Sequence, residues 1–463
     1  MRAFLIFYLS VKHIALAHFH EWMTGSGVLY LKNKAPHIST VFTTHATTVG
    51  RSISGNGLQL YKNLHTFDGD QKSKEFNVVS KHSLEKLAAA YADSFTTVSQ
   101  ITAEECKQLL EREVDVITPN GFEDDFVPIP ESFDKKRAAA KVRLRQVAEA
   151  LFGYKLQENV KFIVTSGRYE FRNKGLDVFI DALAMANHEE ENENEIVAFF
   201  MVPANNYGPR KDLLKSLETG TFTEESTNNV LTHYLHDADY DPILQKLAKN
   251  KLTNKQADKI KVIFVPVYLH GNDGIFGLNY WDLLIGMDMT VFPSYYEPWG
   301  YTPLESLAFY VPTITTTLAG FGRWIINEKD DNCSCIKVID RNDDNYSQVA
   351  GEICDSIVNC IKKTDEEFEE IRQNSYKISR MALWKNFIEN YYKSYDIALE
   401  RSRRYREELY RPVPTETPLS IVTYKSNKPI WRNMEVKANT SDAFPELEEL
   451  SKNLWWSWNP EAN

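Results

Sequence analysis

The chain has 463 residues, which at about 150 residues per domain suggests roughly three structural units, or two large α/β domains. A hydrophobic fraction of 43%, a charged fraction of 25% and an aromatic fraction of 12% exclude a disordered or collagen-like chain. Lys and Arg total 53 against 64 Asp and Glu, a net charge of -11 that argues against a broad footprint for duplex nucleic acid and leaves room for a local phosphate pocket.

At the N-terminus, Arg2, the apolar run from Phe4 to Val11 and Ala15-Leu16-Ala17 imitate a short secretory signal. Lys12 and His13 interrupt that run, and Ile14 to Phe19 reads better as a short buried strand. Further apolar runs at Ile38 to Phe42, Phe95 to Val98 and Val114 to Ile117 alternate with Ser83 to Ala92 and Ala103 to Arg112, whose apolar residues have helical spacing. Such alternation predicts a parallel sheet flanked by helices, with the site outside the carboxyl ends of its strands. His18 and His20 are read as alternating to opposite faces of the first strand, which disfavours a shared metal ion. Gly25-Ser26-Gly27 lacks the third glycine of a phosphate loop.

A charged helix from about Asp134 to Leu151 leads to a second alternating region. Its strands are predicted near Phe162 to Ser166, Ile196 to Val202, Lys261 to Val267, Met289 to Pro293 and Thr313 to Thr317. The stretch between Pro209 and Lys259 is too long for a plain connection and reads as an inserted helical pair, a candidate oligomer contact. Glu366 to Tyr405 is again helical, Pro412 to Pro429 reads as a linker, and Glu446 to Asn463 begins something new. No apolar stretch reaches the roughly eighteen residues of a membrane span. Five cysteines without a C-x-x-C pair speak against a disulfide scaffold or a structural zinc site and fit a reducing, cytoplasmic home.

Three texts carry the chemistry. Ser166-Gly167-Arg168-Tyr169-Glu170-Phe171-Arg172-Asn173-Lys174-Gly175 puts three cations after a strand, either a solvated basic turn or a diphosphate clamp. His270-Gly271-Asn272-Asp273-Gly274-Ile275-Phe276-Gly277-Leu278-Asn279-Tyr280 offers tight turns and, in Tyr280, either a packed helix residue or a ring to stack on a base. In Tyr295-Tyr296-Glu297-Pro298-Trp299-Gly300-Tyr301-Thr302-Pro303-Leu304-Glu305, a capping box fits, with Thr302 as N-cap, Pro303 first in the helix and Glu305 third. That accounts for Glu305 but not Glu297, and a Glu before a Gly-containing turn at a helix N-terminus also suits a nucleotide-sugar site.

These texts, with His18-Phe19-His20-Glu21-Trp22 and Thr43-Thr44-His45-Ala46-Thr47, resemble glycogen synthases of the eukaryotic type from about Ala17 to Pro412. Glu297 and Glu305, with seven residues between, match the two-glutamate spacing of many retaining glycosyltransferases of the GT-B architecture. The resemblance implies an α/β fold in which two Rossmann-like, doubly wound domains face a cleft, the second with a helical insertion. The expected divisions are an incomplete N-terminal domain over 1–155, and a nucleotide-binding domain over 156–375 with its insert at about 209–259. Crossover helices follow over 376–411, with Met381 to Tyr395 as the returning helix, then a linker over 412–445 and a phosphorylase-like start over 446–463.

The activity implied is glucose transfer, with retention, from a nucleotide-glucose to the non-reducing end of glycogen or another α-1,4-glucan. UDP-glucose is favoured over ADP-glucose, and neither metal nor cofactor is needed. By similarity Arg168 and Lys174 neutralise the departing diphosphate, Glu297 steadies the oxocarbenium-like state and His20 meets the glucose. Tyr280 stacks on the base, Glu305 holds the ribose, and Gly300, Tyr301 and Thr302 complete the donor site.

Three departures qualify the resemblance. The strand, Gly-rich loop and helix with which the family begins are not seen before the His18 text, so the first domain reads as truncated and little transfer is expected. Glu366 to Arg380 replaces an arginine-rich regulatory helix, so activation by sugar phosphate is not expected. The Trp455-Trp456-Ser457-Trp458-Asn459-Pro460 core resembles the opening of bacterial α-glucan phosphorylases, which suggests an interior piece of a fusion, or alternatively an aromatic helix packed on the body. Other readings are an inactive glucan-binding protein and another GT-B enzyme, such as a sucrose or trehalose-type synthase or a phosphorylase.

Overall fold

The computed structural model describes residues 14–189, 194–220, 229–328 and 334–410. The N-terminal run, the linker and the Trp-rich text therefore lie outside the described residues. Among those described, no helix is long and apolar enough to cross a membrane.

Two parallel sheets organise the chain. The first has the order β1 (Leu16–His20), β2 (Ser39–Thr44), β3 (Ser94–Thr97), β4 (Val116–Ile117). Its register sets Phe19 opposite Phe42 and Phe42 opposite Phe95, an apolar seam between covering helices. The same register aligns His20 with Thr43 and Thr43 with Thr96, so the polar ends of three strands reach one edge. The helices Glu21–Lys34, Val79–Tyr91 and Gln100–Leu109 fill the crossovers. The last two begin before the predicted stretches Ser83 to Ala92 and Ala103 to Arg112 and also end before them, while Glu21–Lys34 was not predicted.

The second sheet has the order β12 (Ile336–Ile339), β11 (Thr313–Thr316), β10 (Met289–Val291), β5 (Lys161–Ser166), β6 (Ile196–Met201), β9 (Ile260–Val265). β12 was not expected from the pattern; its four residues include the exposed Lys337, so no apolar run marks it. The insert holds the helices Lys211–Thr219 and Pro242–Lys249 as expected. It also carries an antiparallel pair, β7 (Asn206–Pro209) and β8 (His233–Leu235), that the helical reading missed. Cys106, Cys354 and Cys360 are buried free thiols, whereas Cys335 is disulfide-bonded.

A helix at Trp384–Tyr410 returns to the first sheet, longer than the stretch expected. It docks through short polar contacts: Ser394 to Ser94 at 2.8 Å, Ser402 to Ser39 at 2.6 Å, and Arg401 to the Asp93 carbonyl and the Asp115 carboxylate at 2.7 Å each. The helix Pro130–Phe152 joins the two sheets and is anchored on the buried Asp288. That carboxylate accepts from Arg137 (2.9 Å) and Lys141 (2.6 Å), and also from the Phe162 amide at the start of β5 (2.9 Å). Burial works to raise the Asp288 pKa, but Lys141 and Arg137 prevail and hold it below the usual range. Asp288→Ala leaves two cations without their anion and is expected to cost about 3–5 kcal/mol in denaturant unfolding. A loss under about 1 kcal/mol contradicts this role.

Candidate functional site

β5 and β10 end side by side, and the two central texts leave from those ends. Lys174, in the turn after β5, forms an ion pair with Glu297 in the loop after β10; the two side chains are 13% and 15% exposed. The Glu297 carbonyl accepts from the Gly320 amide at 2.9 Å, which fixes the loop. Arg168 remains 56% exposed and pairs with Glu170 at 3.2 Å. Arg172 instead lies over the Tyr295 ring, 4.7 Å from its centroid, so the three cations of the text have three separate placements.

Glu305 is not a capping residue. The helix spans Tyr301–Ala308, its cap is Gly300 at φ 107°, and no side chain caps it. Only glycine adopts that backbone readily, so the turn tightens and the helix starts before Thr302, placing Thr302 and Pro303 within the first turn. The capping-box expectation is thus corrected, and the Glu305 carboxylate, second to burial, acts electrostatically on Tyr280 and Tyr301, raising both phenols. Burial pushes its pKa up to about 7.

Tyr280 opens the short helix Tyr280–Leu284, and its hydroxyl meets Ser166 Oγ at 2.8 Å, at the end of β5. Burial first, and Glu305 second, push its phenol up. The Tyr301 hydroxyl donates to the Gly121 carbonyl across the cleft at 3.3 Å, and the Thr302 carbonyl accepts from Ser306 at 2.7 Å.

On the facing wall, His18 and His20 share one face of β1, contrary to the expectation from sequence. Residues two apart on a strand point the same way, and the two rings stack with centroids 4.2 Å apart. His20 Nδ1 shares a 3.0 Å hydrogen bond with His45 Nε2, and His18 bonds Thr43 Oγ1 at 2.7 Å and Tyr395 at 3.2 Å. Burial, with the neighbouring imidazoles, lowers the His18 pKa to about 3; burial and His45 depress that of His20, and burial depresses that of His45. Among the described residues, no group of three or more His, Cys, Asp or Glu side chains is arranged to hold a metal ion. Glu21, next in the chain, has a φ of 64°, a strained conformation for a side-chain-bearing residue, and accepts from the His45 amide at 2.8 Å.

The structure thus joins Lys174 with Glu297 and holds Tyr280 on Ser166 at the end of β5. It leaves Arg168 at the rim and His20 on the opposite wall, without a hydrogen bond to the other named residues. Missed in the sequence were Tyr295, Tyr296, Asn173 and Glu105. The Asn173 carbonyl accepts from the Tyr295 and Tyr296 amides at 2.8 and 3.1 Å, and Asn173 Oδ1 accepts from Ser54 of the other wall at 2.7 Å. Asn173 lies inside the basic text and the tyrosines inside the glutamate text, but no spacing rule marks a residue for contact between lobes.

A family model described as glycogen synthase matches residues 3–219 and 212–443. The chain is 31% identical over 462 residues to glycogen (starch) synthase isoform 1 of Saccharomyces cerevisiae, covering 85% of this chain and 65% of the yeast protein. To liver glycogen (starch) synthase of Mus musculus it is 29% identical over 436 residues, covering 82% and 62%. The chain therefore spans somewhat less than two thirds of the length of these relatives. Among solved structures, the catalytic domain of starch synthase IV from Arabidopsis thaliana, bound to ADP and acarbose, aligns with a TM-score of 0.51 at 16% identity, over 83% of this chain and 73% of that one. The N-terminal domain of Candida albicans trehalose-6-phosphate phosphatase gives a TM-score of 0.51 at 13% identity, over 84% and 71%. The fold is the GT-B arrangement of two Rossmann-like units, and by its family match the chain belongs to the glycogen synthase family.

Proposed function

We propose that the cleft transfers glucose, with retention, from a nucleotide-glucose to the non-reducing end of an α-1,4-glucan, with UDP-glucose as the favoured donor. The observation that carries this reading is the Lys174–Glu297 ion pair set beside Tyr280, whose hydroxyl is held on Ser166 at the carboxyl end of β5. A diphosphate entering there meets Lys174, with Arg168 at the rim, where a fixed cation stabilises charge developing on the leaving group. It also releases the Glu297 carboxylate from Lys174 to face the anomeric carbon. Glu305 accepts from the ribose, Tyr280 lies along the base, His20 meets the glucose, and Gly300, Tyr301 and Thr302 line the donor.

In the proposed step the bond from the anomeric carbon to phosphate breaks as the acceptor oxygen bonds to the same face. The acceptor proton passes to the leaving phosphate oxygen. Glu297 stabilises the cationic sugar without bonding to it, and no metal or cofactor takes part. The divisions at 155/156, 375/376 and 411/412, the phosphorylase-like start at 446–463 and a cytoplasmic setting belong to the same proposal.

Calorimetric titration of the chain with UDP, and with ADP as comparison, is expected to give saturable UDP binding that Arg168→Ala weakens several-fold. No binding by a folded chain overturns the reading. With UDP-glucose and glycogen, Glu297→Gln is expected to lower turnover about a hundredfold or more while UDP binding persists, in keeping with loss of electrostatic stabilisation in the transition state. A covalent sugar trapped on Glu297 overturns the same-face step.

The raised Glu305 pKa gives a pH test. Ribose hydroxyls favour the carboxylate, so UDP affinity is expected to tighten several-fold as pH rises from 6 to 8 through about 7. Glu305→Gln removes that part of the slope. Identical pH profiles for wild type and Glu305→Gln contradict the ribose role.

A further inference from the structure

Tyr295 and Tyr296, immediately before Glu297, insert into the first lobe and are each 2% exposed. The Tyr295 hydroxyl accepts from the Leu60 amide at 2.9 Å and donates to Asp343 at 2.5 Å. The Tyr296 hydroxyl donates to Glu105 Oε2 at 3.2 Å. Glu105 lies on the helix Gln100–Leu109 of the first lobe and is 1% exposed. Its Oε2 also accepts from Thr47 at 2.6 Å, and its Oε1 from Tyr61 at 3.3 Å. Thr47 in turn caps the helix Thr48–Gly55 by accepting from the Gly50 amide at 3.1 Å. A Cβ at position 50 would lie 2.2 Å from Glu105 Oε2, so glycine there lets the carboxyl reach the helix start.

One buried carboxyl group therefore touches the loop that carries His45 on one wall and the residue next to Glu297 on the other. Enclosing a carboxyl with hydroxyls and no cation is costly, and an apolar side chain of similar size would fill the space at less expense. What hydroxyl contacts supply and packing does not is direction. We infer that Glu105 is a positioning residue, which holds the two walls of the cleft in register through Thr47 and Tyr296 and thereby aims Glu297. The catalytic part of this inference rests on the proposed glucosyl transfer; the structural link between the walls does not.

The test uses the full chain and three variants: Tyr296→Phe, which keeps the ring, Glu105→Gln, which keeps the shape and polarity, and Glu105→Leu, which only fills the volume. Glucosyl transfer, UDP affinity and hydrogen exchange over residues 44–60 are measured for each. Tyr296→Phe and Glu105→Leu are expected to lower turnover about tenfold, leave UDP affinity within about twofold and speed exchange at least fivefold. Glu105→Gln retains more of the turnover than Glu105→Leu. The Glu105→Leu/Tyr296→Phe double variant is no worse than the poorer single, because both break one link.

Unchanged exchange and turnover in Tyr296→Phe, or equal turnover in the Leu and Gln variants, overturns the inference, as do effects that multiply in the double variant. Should wild type bind no nucleotide, the transfer reading fails by itself. Exchange in Tyr296→Phe then decides the link between the walls, faster exchange supporting it and unchanged exchange overturning it.

Discussion

Parallel pairing is the constraint on which the rest of this molecule depends. Every strand of the two main sheets runs with its neighbours, so the carboxyl ends collect along one edge of each sheet and the residues that follow must turn there. Phe42, Phe95, Phe162 and Phe199 are buried within the strands, and so are the hydroxyl residues Thr40, Thr43, Thr96 and Thr290. Chemistry is confined to what leaves the ends: the His45 loop, the Lys174 turn, the Glu297 loop and the segment before Tyr280. The returning helix Trp384–Tyr410 adds Tyr395 to the same region by bonding His18, so the closing element of the fold also touches the cleft.

Bringing two such edges together buries polar groups, and the chain deals with them in two ways. Away from the cleft, Asp288 is matched by Arg137 and Lys141, and its charge persists. Beside the cleft, Glu85 is enclosed by the Thr44 hydroxyl at 2.5 Å and the Thr48 amide at 3.0 Å, and Glu105 by three hydroxyls, with no cation bonded to either. Burial outweighs those hydrogen bonds and pushes both carboxyls up to about 7. Beside these hydroxyl contacts, the exposed pairs Arg323–Glu104 at 2.9 Å and Lys62–Asp344 at 2.8 Å also run between the lobes.

The sheet was legible because apolar runs of the right length alternated with helical spacing, and the strand ends mark where the candidate site was sought. The basic and glutamate texts were legible as chemistry, and the pairing of Lys174 with Glu297 joins them. What failed did so for identifiable reasons. The face shared by His18 and His20 was misassigned although a period of two decides it. Thr302 looked like a cap because sequence carries no record of φ, and Gly300 at 107° moved the helix start. Glu105 was passed over because a Glu in an amphipathic helix is usually solvated. Only the packing of Tyr296 and Tyr61 against it reveals the opposite, and those residues lie far from it in the chain.

The two glutamates illustrate how spacing becomes geometry. Seven intervening residues place nothing by themselves, since Glu297 lies in a loop and Glu305 within a helix. Gly300 turns the chain between them so sharply that a Cβ there would approach Glu297 Cγ to 3.2 Å. Glu297 is then held by Lys174 at the end of β5, whereas Glu305 acts on Tyr280, whose hydroxyl is held on Ser166, only through its charge. Glu297 meets a cation, whereas burial dominates at Glu305 and raises its pKa to about 7. Two identical side chains from one short text thus enter the cleft in different electrostatic settings. In the proposed transfer, one carboxylate opposes positive charge at one end of the donor and the other accepts hydroxyls, and the two settings differ accordingly.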